Sequence, residues 1–305
     1  MTKRRMLART GIAAVGILAL GLMAGCSSDS GSGGGGGSDD SGSTLQKAID
    51  AGSITIAVAD ERPYSWVDDN GEPQGATVAM HKEIFKALGI DDIKVVESDW
   101  NSLIPGLNAG RFDVISAGMS ILPDRCAKAA FSDPEIMYTT TLMVPEGNPE
   151  GLTDLDSVKA TDGGVKLAIL AGGIEAGYAE SLGITNTVEV DNAQDGMDLV
   201  SNGRADVFAM TAISLNWMAE NNPDAGVETT DAFVQVIDGV EQIGAGSTVF
   251  RQDDTELLDA YNKELANITG DPEKYMSLVG EYGFTEENLP PEDLTTEQLC
   301  EGDLS

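Results

Sequence analysis

Five short clusters of polar, aromatic and glycine residues each follow an apolar run in this chain. They are Asp60-Glu61-Arg62-Pro63-Tyr64, Asp99-Trp100, Gly118-Met119-Ser120 with Arg125 close behind, Ala171-Gly172-Gly173, and Met210-Thr211. Arg125 has the planar fork that takes a carboxylate in a bidentate pair. Gly172-Gly173 opens a helical segment, whose free N–H groups favour an anion. Tyr64 and Trp100 offer ring faces to a delocalised cation, and Glu61 can accept hydrogen bonds from that cation's N–H groups. Together these residues suit a small zwitterion with a flat cationic part and a carboxylate. Each also has an ordinary reading: Arg125 as a surface pair with Asp124, Trp100 as core, Glu61 as a solvated pair with Arg62, Gly172-Gly173 as a tight turn. His81 is the only histidine and reads as an exposed helix residue, so Ser-His or Cys-His catalysis has almost no support. Two cysteines and one histidine outside the leader make a metal site unexpected, and no cofactor is expected.

The elements that must carry these clusters read as two similar α/β lobes. Residues 53–59 alternate Ile54, Ile56 and Val58 as a strand does. Residues 78–88 place Met80, Ile84, Phe85 and Leu88 on one helical face, stopped by Gly89. A strand at 93–97, a helix at 102–109 and a strand at 112–117 complete a βαβαβ order, which favours a parallel sheet covered by helices. The order repeats: strand 165–170, helix 174–181, strand 187–190, helix 197–202, strand 205–210. A local echo, Asn108-Ala109-Gly110-Arg111-Phe112-Asp113-Val114 against Ser201-Asn202-Gly203-Arg204-Ala205-Asp206-Val207, supports duplication. Extended segments at 137–144 and, after the second lobe, at 233–237 and 244–250 connect the lobes, and amphipathic helices at 253–268 and 272–281 follow. In open parallel sheets the ligand crevice lies beyond the carboxyl ends of the strands, where the five clusters fall.

The chain opens with Lys3, Arg4 and Arg5, then a short apolar run from Gly11 to Leu22, the form of a secretory signal peptide. The run ends in Leu22-Met23-Ala24-Gly25-Cys26, which resembles a bacterial lipobox, so Cys26 is the expected lipid-bearing residue. Ser27 to Ser43 is nearly all Ser, Gly and Asp, a flexible tether. No other stretch is apolar enough to cross a bilayer. The expected organisation is a signal peptide at 1–25, a lipidated cysteine and linker at 26–44, a first lobe from 45–143 plus 244–305, and a second lobe at 144–243. The formal net charge is −33, which repels phosphates and excludes a nucleic-acid partner. Cys126 and Cys300 remain, an even pair in an oxidising compartment; a disulfide between them is expected, two buried thiols being the alternative. The bond would return the C-terminal helices to the first lobe, so that the chain crosses between lobes twice, as at a hinge.

From about Ser53 to Cys300 the chain resembles the bacterial extracellular solute-binding proteins that feed polar-amino-acid ABC importers. Gly110-Arg111-Phe112-Asp113, the run from Gly118 to Arg125, Phe131-Ser132-Asp133-Pro134 and Gly203-Arg204-Ala205-Asp206 carry the resemblance. Within that family it is most similar to the ectoine/hydroxyectoine-binding subgroup, through Ser102 to Leu107, Asp124-Arg125-Cys126, Gly283-Phe284-Thr285, Asn288 to Pro291 and Leu299-Cys300. The resemblance implies a two-lobed, type II periplasmic-binding-protein-like clamshell, each lobe a parallel-rich sheet flanked by helices, with two hinge crossovers. It implies a protein that closes on a small zwitterionic solute and docks on the permease subunits; a monomer, anchored at the outer face of the membrane by the lipid on Cys26, is expected. It puts Arg125 on the solute carboxylate, and Glu61, Tyr64 and Trp100 on the subgroup's acid and two rings of its aromatic box. Ser120 stands where the subgroup has a third ring, Gly173 where many relatives have Thr, and Ala79 where the family has Asp. Thr211 stands where amino-acid binders place the Asp that holds the α-ammonium, so a simple amino acid would need Asp191 or Asp195 nearby. An exported enzyme on this fold, such as a dehydratase, would need paired acid and base groups, of which Glu61 is the one evident candidate.

Overall fold

The computed structural model describes residues 42–302; the expected signal peptide, Cys26 and most of the tether lie outside them. The chain enters through α1 (Thr44–Ala51) and the alternating strand β1 (Ser53–Val58), then a small hairpin of β2 (Trp66–Val67) and β3 (Pro73–Gln74). There follow α2 (Ala76–Ala87), β4 (Asp92–Glu97), α3 (Leu103–Asn108), β5 (Val114–Ser120), α4 (Pro123–Cys126), β6 (Ala130–Phe131) and β7 (Ile136–Tyr138). The second lobe comprises β8 (Thr140–Pro145), α5 (Leu155–Ala160), β9 (Leu167–Leu170), α6 (Ile174–Leu182), β10 (Thr187–Val190), α7 (Ala193–Ser201), β11 (Val207–Thr211), α8 (Ala212–Asn221) and β12 (Val227–Thr229). A hairpin of β13 (Val236–Ile237) and β14 (Val240–Glu241) precedes the return strand β15 (Gly244–Phe250), then α9 (Thr255–Thr269), α10 (Pro272–Val279) and α11 (Thr296–Glu301).

The two lobes share one topology. The first sheet runs β4-β1-β5-β15-β6, with β7 also on β15, and the second runs β10-β9-β11-β8-β12. In each, three strands of a βαβαβ unit are parallel, and an antiparallel strand lies beside the third. The sequence echo has a matching structural role in both lobes. Asp113 accepts the Thr55 N–H at 3.0 Å and donates its own N–H to the Thr55 carbonyl at 2.8 Å. Asp206 does the same with Lys166, at 2.7 and 3.0 Å. Gly110 (φ +69°) and Gly203 (φ +65°) hold the left-handed conformation that ends the preceding helix. Each Asp thereby supplies a partner to a neighbouring strand entry that the ladder leaves open.

The first crossing lies at Thr139, between β7 in the first sheet and β8 in the second. That is a few residues before the expected boundary at 143/144, because β8 keeps both its partners, β11 and β12, in the second sheet. The return connection is bonded to the outgoing one: Phe233 and Thr140 exchange backbone hydrogen bonds of 2.8 and 3.0 Å. The hinge strands are therefore coupled.

Cys126 and Cys300 form a disulfide with Cα atoms 5.7 Å apart. It ties α11 against α4, the short helix that carries Arg125. His81 is buried, not exposed. Helix α2 is covered both by the sheet and by α9 and α10, so it has no open face there. The His81 ring sits 5.4 Å from Phe85 and 5.5 Å from Tyr261, its Nε2 2.6 Å from Thr248 Oγ1. Burial takes its pKa down to about 3, so it is neutral. No helix among the described residues is long and apolar enough to cross a membrane.

Candidate functional site

The loop after β1 turns back on itself through paired backbone bonds between Glu61 and Ser65, of 3.0 and 2.9 Å. That turn aims Glu61 across the cleft. Its Oε1 accepts from Ser214 Oγ at 2.9 Å and from Thr211 Oγ1 at 3.4 Å, both in the second lobe. Burial pushes its pKa up to about 7, against the pull of the Ser214 hydroxyl, and the nearby Glu175 carboxylate raises it further.

Tyr64 follows in the same loop and is buried, its ring edge-on to Tyr138 at 6.1 Å and to Phe284 at 5.4 Å. Its ring rests on Gly118, where a Cβ would approach to 2.7 Å at a φ of +55°. The Tyr64 hydroxyl is buried with no hydrogen-bond partner. Ser120, at the end of β5, accepts the Tyr138 hydroxyl at 2.6 Å. The sector without a ring at Ser120 is thus bordered by Tyr138, a ring from the crossing strand.

Arg125 and Trp100 meet the second lobe at one carbonyl. Arg125 Nη2 donates to Gly172 O at 2.7 Å and Nη1 to Ser120 O at 3.0 Å. Trp100 Nε1 donates to Gly172 O at 3.1 Å, and the guanidinium lies 5.5 Å from the Trp100 ring centroid. Arg125 makes no pair with Asp124. Gly172, at φ +73°, stands where a Cβ would come within 2.2 Å of Asn101 Oδ1, so the lobes meet backbone to side chain there. Helix α6 begins just beyond, with Gly173 as its N-cap.

These contacts define a form in which the two lobes touch. Glu61, Tyr64, Trp100, Gly118, Ser120, Gly173 and Thr211 line one small cavity of about 20 Å³, room for about one water. Arg125 and Gly172 lie at its rim and line, with Trp100 and Gly173, an open groove of about 670 Å³. The groove is the larger space, but the convergent polar groups belong to the small cavity. A solute larger than a water enters it only with the lobes further apart.

Three contributors were not among the expected residues. Glu175, in the first turn of α6, is buried and lines the same cavity. Thr140 Oγ1 donates to it at 3.4 Å, and burial pushes its pKa up to about 7. Tyr138 lines the cavity from β7, and Ser214 holds Glu61 from the first turn of α8. Conversely, Asp191 and Asp195 remain exposed; the carboxylate beside Thr211 is Glu61 from the opposite lobe.

A duplicated two-lobed α/β fold with an arginine, carboxylates and rings converging between the lobes is the architecture of a solute-binding protein. Residues 54–282 match the model of the bacterial extracellular solute-binding proteins, family 3, and the chain belongs to that family. It is 35% identical over 263 residues to a probable amino-acid ABC transporter periplasmic-binding protein of Sinorhizobium fredii, covering 84% of this chain and 86% of that protein. It is 30% identical over 214 residues to the lysine/arginine/ornithine-binding periplasmic protein of Escherichia coli, covering 68% and 79%. Among solved structures it is similar to EhuB in complex with hydroxyectoine, with a TM-score of 0.75, 30% identity, and 84% and 97% of the two chains covered.

Proposed function

We propose that this protein is the lipid-anchored, extracytoplasmic substrate-binding component of an ABC importer, and that it captures an ectoine-like zwitterion by lobe closure. The observation that carries the ligand reading is Glu61. It is a buried carboxylate, bordered by Tyr64 and Tyr138, and no Lys or Arg among the described residues forms an ion pair with it. A flat cation beside these rings and against Glu61 would meet that need. Arg125, which donates to two carbonyls in the present form, would turn to the solute carboxylate. The similarity to the S. fredii protein supports the importer role and the similarity to EhuB the ectoine-like ligand; Cys26, in the lipobox-like run, would carry the anchor.

A second reading, a polar amino acid, is favoured by the 3.4 Å contact between Thr211 and Glu61. An α-ammonium beside Thr211 would still find a carboxylate there. Calorimetric titration of the purified mature domain with ectoine, hydroxyectoine, glycine betaine, L-arginine and L-glutamine separates the two. The proposal expects the ectoines to bind tightest; preference for an amino acid moves the assignment to the second reading. Mass spectrometry of each solute afterwards tests for turnover, since Glu61 and Glu175 are the groups an acid–base enzyme on this fold would use.

A further inference from the structure

We propose that Glu175 is a second cation anchor and that Glu61 and Glu175, one from each lobe, form a charge gate: the lobes close when a positive charge or a proton lies between the two carboxylates. The inference rests on the solute-capture reading above and extends it to the charge of the solute and to pH.

The geometry begins with the two lobes. Glu61 is carried by the first and Glu175 by the second, so opening parts them and closing brings both to the lining of one cavity. Both are buried there, at 7% and 2% exposure. The donors they meet are few: Ser214 and Thr211 for Glu61, Thr140 and its own backbone N–H for Glu175. Among the described residues neither is in an ion pair. The charged and titratable groups facing them are Arg125 from α4, Tyr64 from the Glu61 loop, Tyr138 from β7 and Tyr178 one turn along α6. Arg125 is the one cation of that set, and its N–H groups are turned to the carbonyls of Ser120 and Gly172.

Two carboxylates in a cavity with room for about one water oppose closure unless one is neutralised. A solute cation with N–H donors on both sides does this, as an amidinium or guanidinium can; an uncharged amide does not. A proton does it as well. Both carboxyls have their pKa raised from 4.5 to about 7 in the closed form. Because the raised value belongs to the closed form, closure takes up protons between about pH 4.5 and 7 and is opposed above that window. The two lobes thus read positive charge jointly, and selectivity for a flat cation with N–H donors on both sides, an amidinium or guanidinium, over an α-ammonium beside a neutral amide is divided between Glu61 and Glu175.

The test has two arms, with wild type and Glu175→Gln, whose fold is checked by circular dichroism. In the first arm, small-angle scattering measures the radius of gyration without solute at pH 5.5 and 8.5. Wild type should be more compact at pH 5.5, and Glu175→Gln should lose about half of that difference, since burial of Glu61 still raises its pKa on closure. An unchanged wild-type radius, or the same pH response in the variant, overturns the gate. In the second arm, hydroxyectoine, L-arginine and L-glutamine are titrated by calorimetry at pH 8. Wild type should bind its preferred cationic probe at least tenfold tighter than L-glutamine, and Glu175→Gln should narrow that ratio at least fivefold. A ratio preserved within twofold overturns the role of Glu175 while leaving solute capture intact. A pH response of the expected form with no binding of any probe supports the gate and overturns the assigned solute class.

Discussion

Ser214→Ala isolates the cross-cleft bond on which the site depends. Ser214 is buried and its Oγ donates to Glu61 Oε1 at 2.9 Å. Without it Glu61 retains one donor, Thr211 Oγ1 at 3.4 Å, a distance near the limit of useful bonding. A hydrogen bond to a charged group contributes about 1.5–3 kcal/mol. The bond joins the lobes, so its loss weakens the closed form; within the second lobe the substitution removes only the 3.1 Å bond that Thr211 Oγ1 donates to Ser214 Oγ. The expected result is a dissociation constant raised about 10- to 150-fold. The solute-free melting temperature should move by no more than about 2 °C, since the open form does not contain the bond. Calorimetry and thermal unfolding of the same preparation give both numbers. A lowered melting temperature with unchanged affinity would refute the reasoning, placing Ser214 in the fold of the second lobe and not in the clasp.

Arg125→Ala should cost more than 100-fold in affinity by calorimetry, since it leaves a solute carboxylate desolvated without its partner; parental affinity would show that the site is misassigned. Ser120→Phe should weaken binding by about 10-fold, because the larger side chain removes the acceptor of the buried Tyr138 hydroxyl and crowds a cavity already bordered by that ring; tighter binding would show that the box has room for a third ring. Reduction of Cys126–Cys300, which are 174 residues apart in sequence, removes a cross-link worth about 4–5 kcal/mol in the chain-entropy treatment. The melting temperature should fall by about 10 °C; an unchanged value would mean that the native packing holds α11 on α4 without the bond.

The two-lobed order was legible because its signals are local. Ile54, Ile56 and Val58 alternate at the strand period, and Gly110 and Gly203 stop helices by a conformation other residues avoid. The allegiance of β8 was not legible, since an extended Thr-rich run has the same pattern on either side of a hinge. Helix α8 was passed over because Ile213, Leu215, Trp217 and Met218 do not keep to one narrow face, and Ser214 went with it. Seven of the nine expected ligand residues were traceable to one cavity through the rule that strand ends face the crevice. Glu175 was not: an acid in the first turn of a helix is ordinarily a solvated one, and only the packing of the opposite lobe over α6 buries it. His81 was misread for the same reason, since α9 and α10 cover its helix from 170 residues away or more.

Capture by closure is tested most directly by small-angle scattering of the mature domain at pH 8.5, with and without saturating hydroxyectoine. At that pH both cleft carboxylates are ionised in the open form, and a cation is required to bring them together. A radius of gyration that falls on addition of solute, and does not fall in Arg125→Ala, is the predicted result. A radius unchanged while calorimetry shows hydroxyectoine bound would contradict closure of the two lobes on the solute.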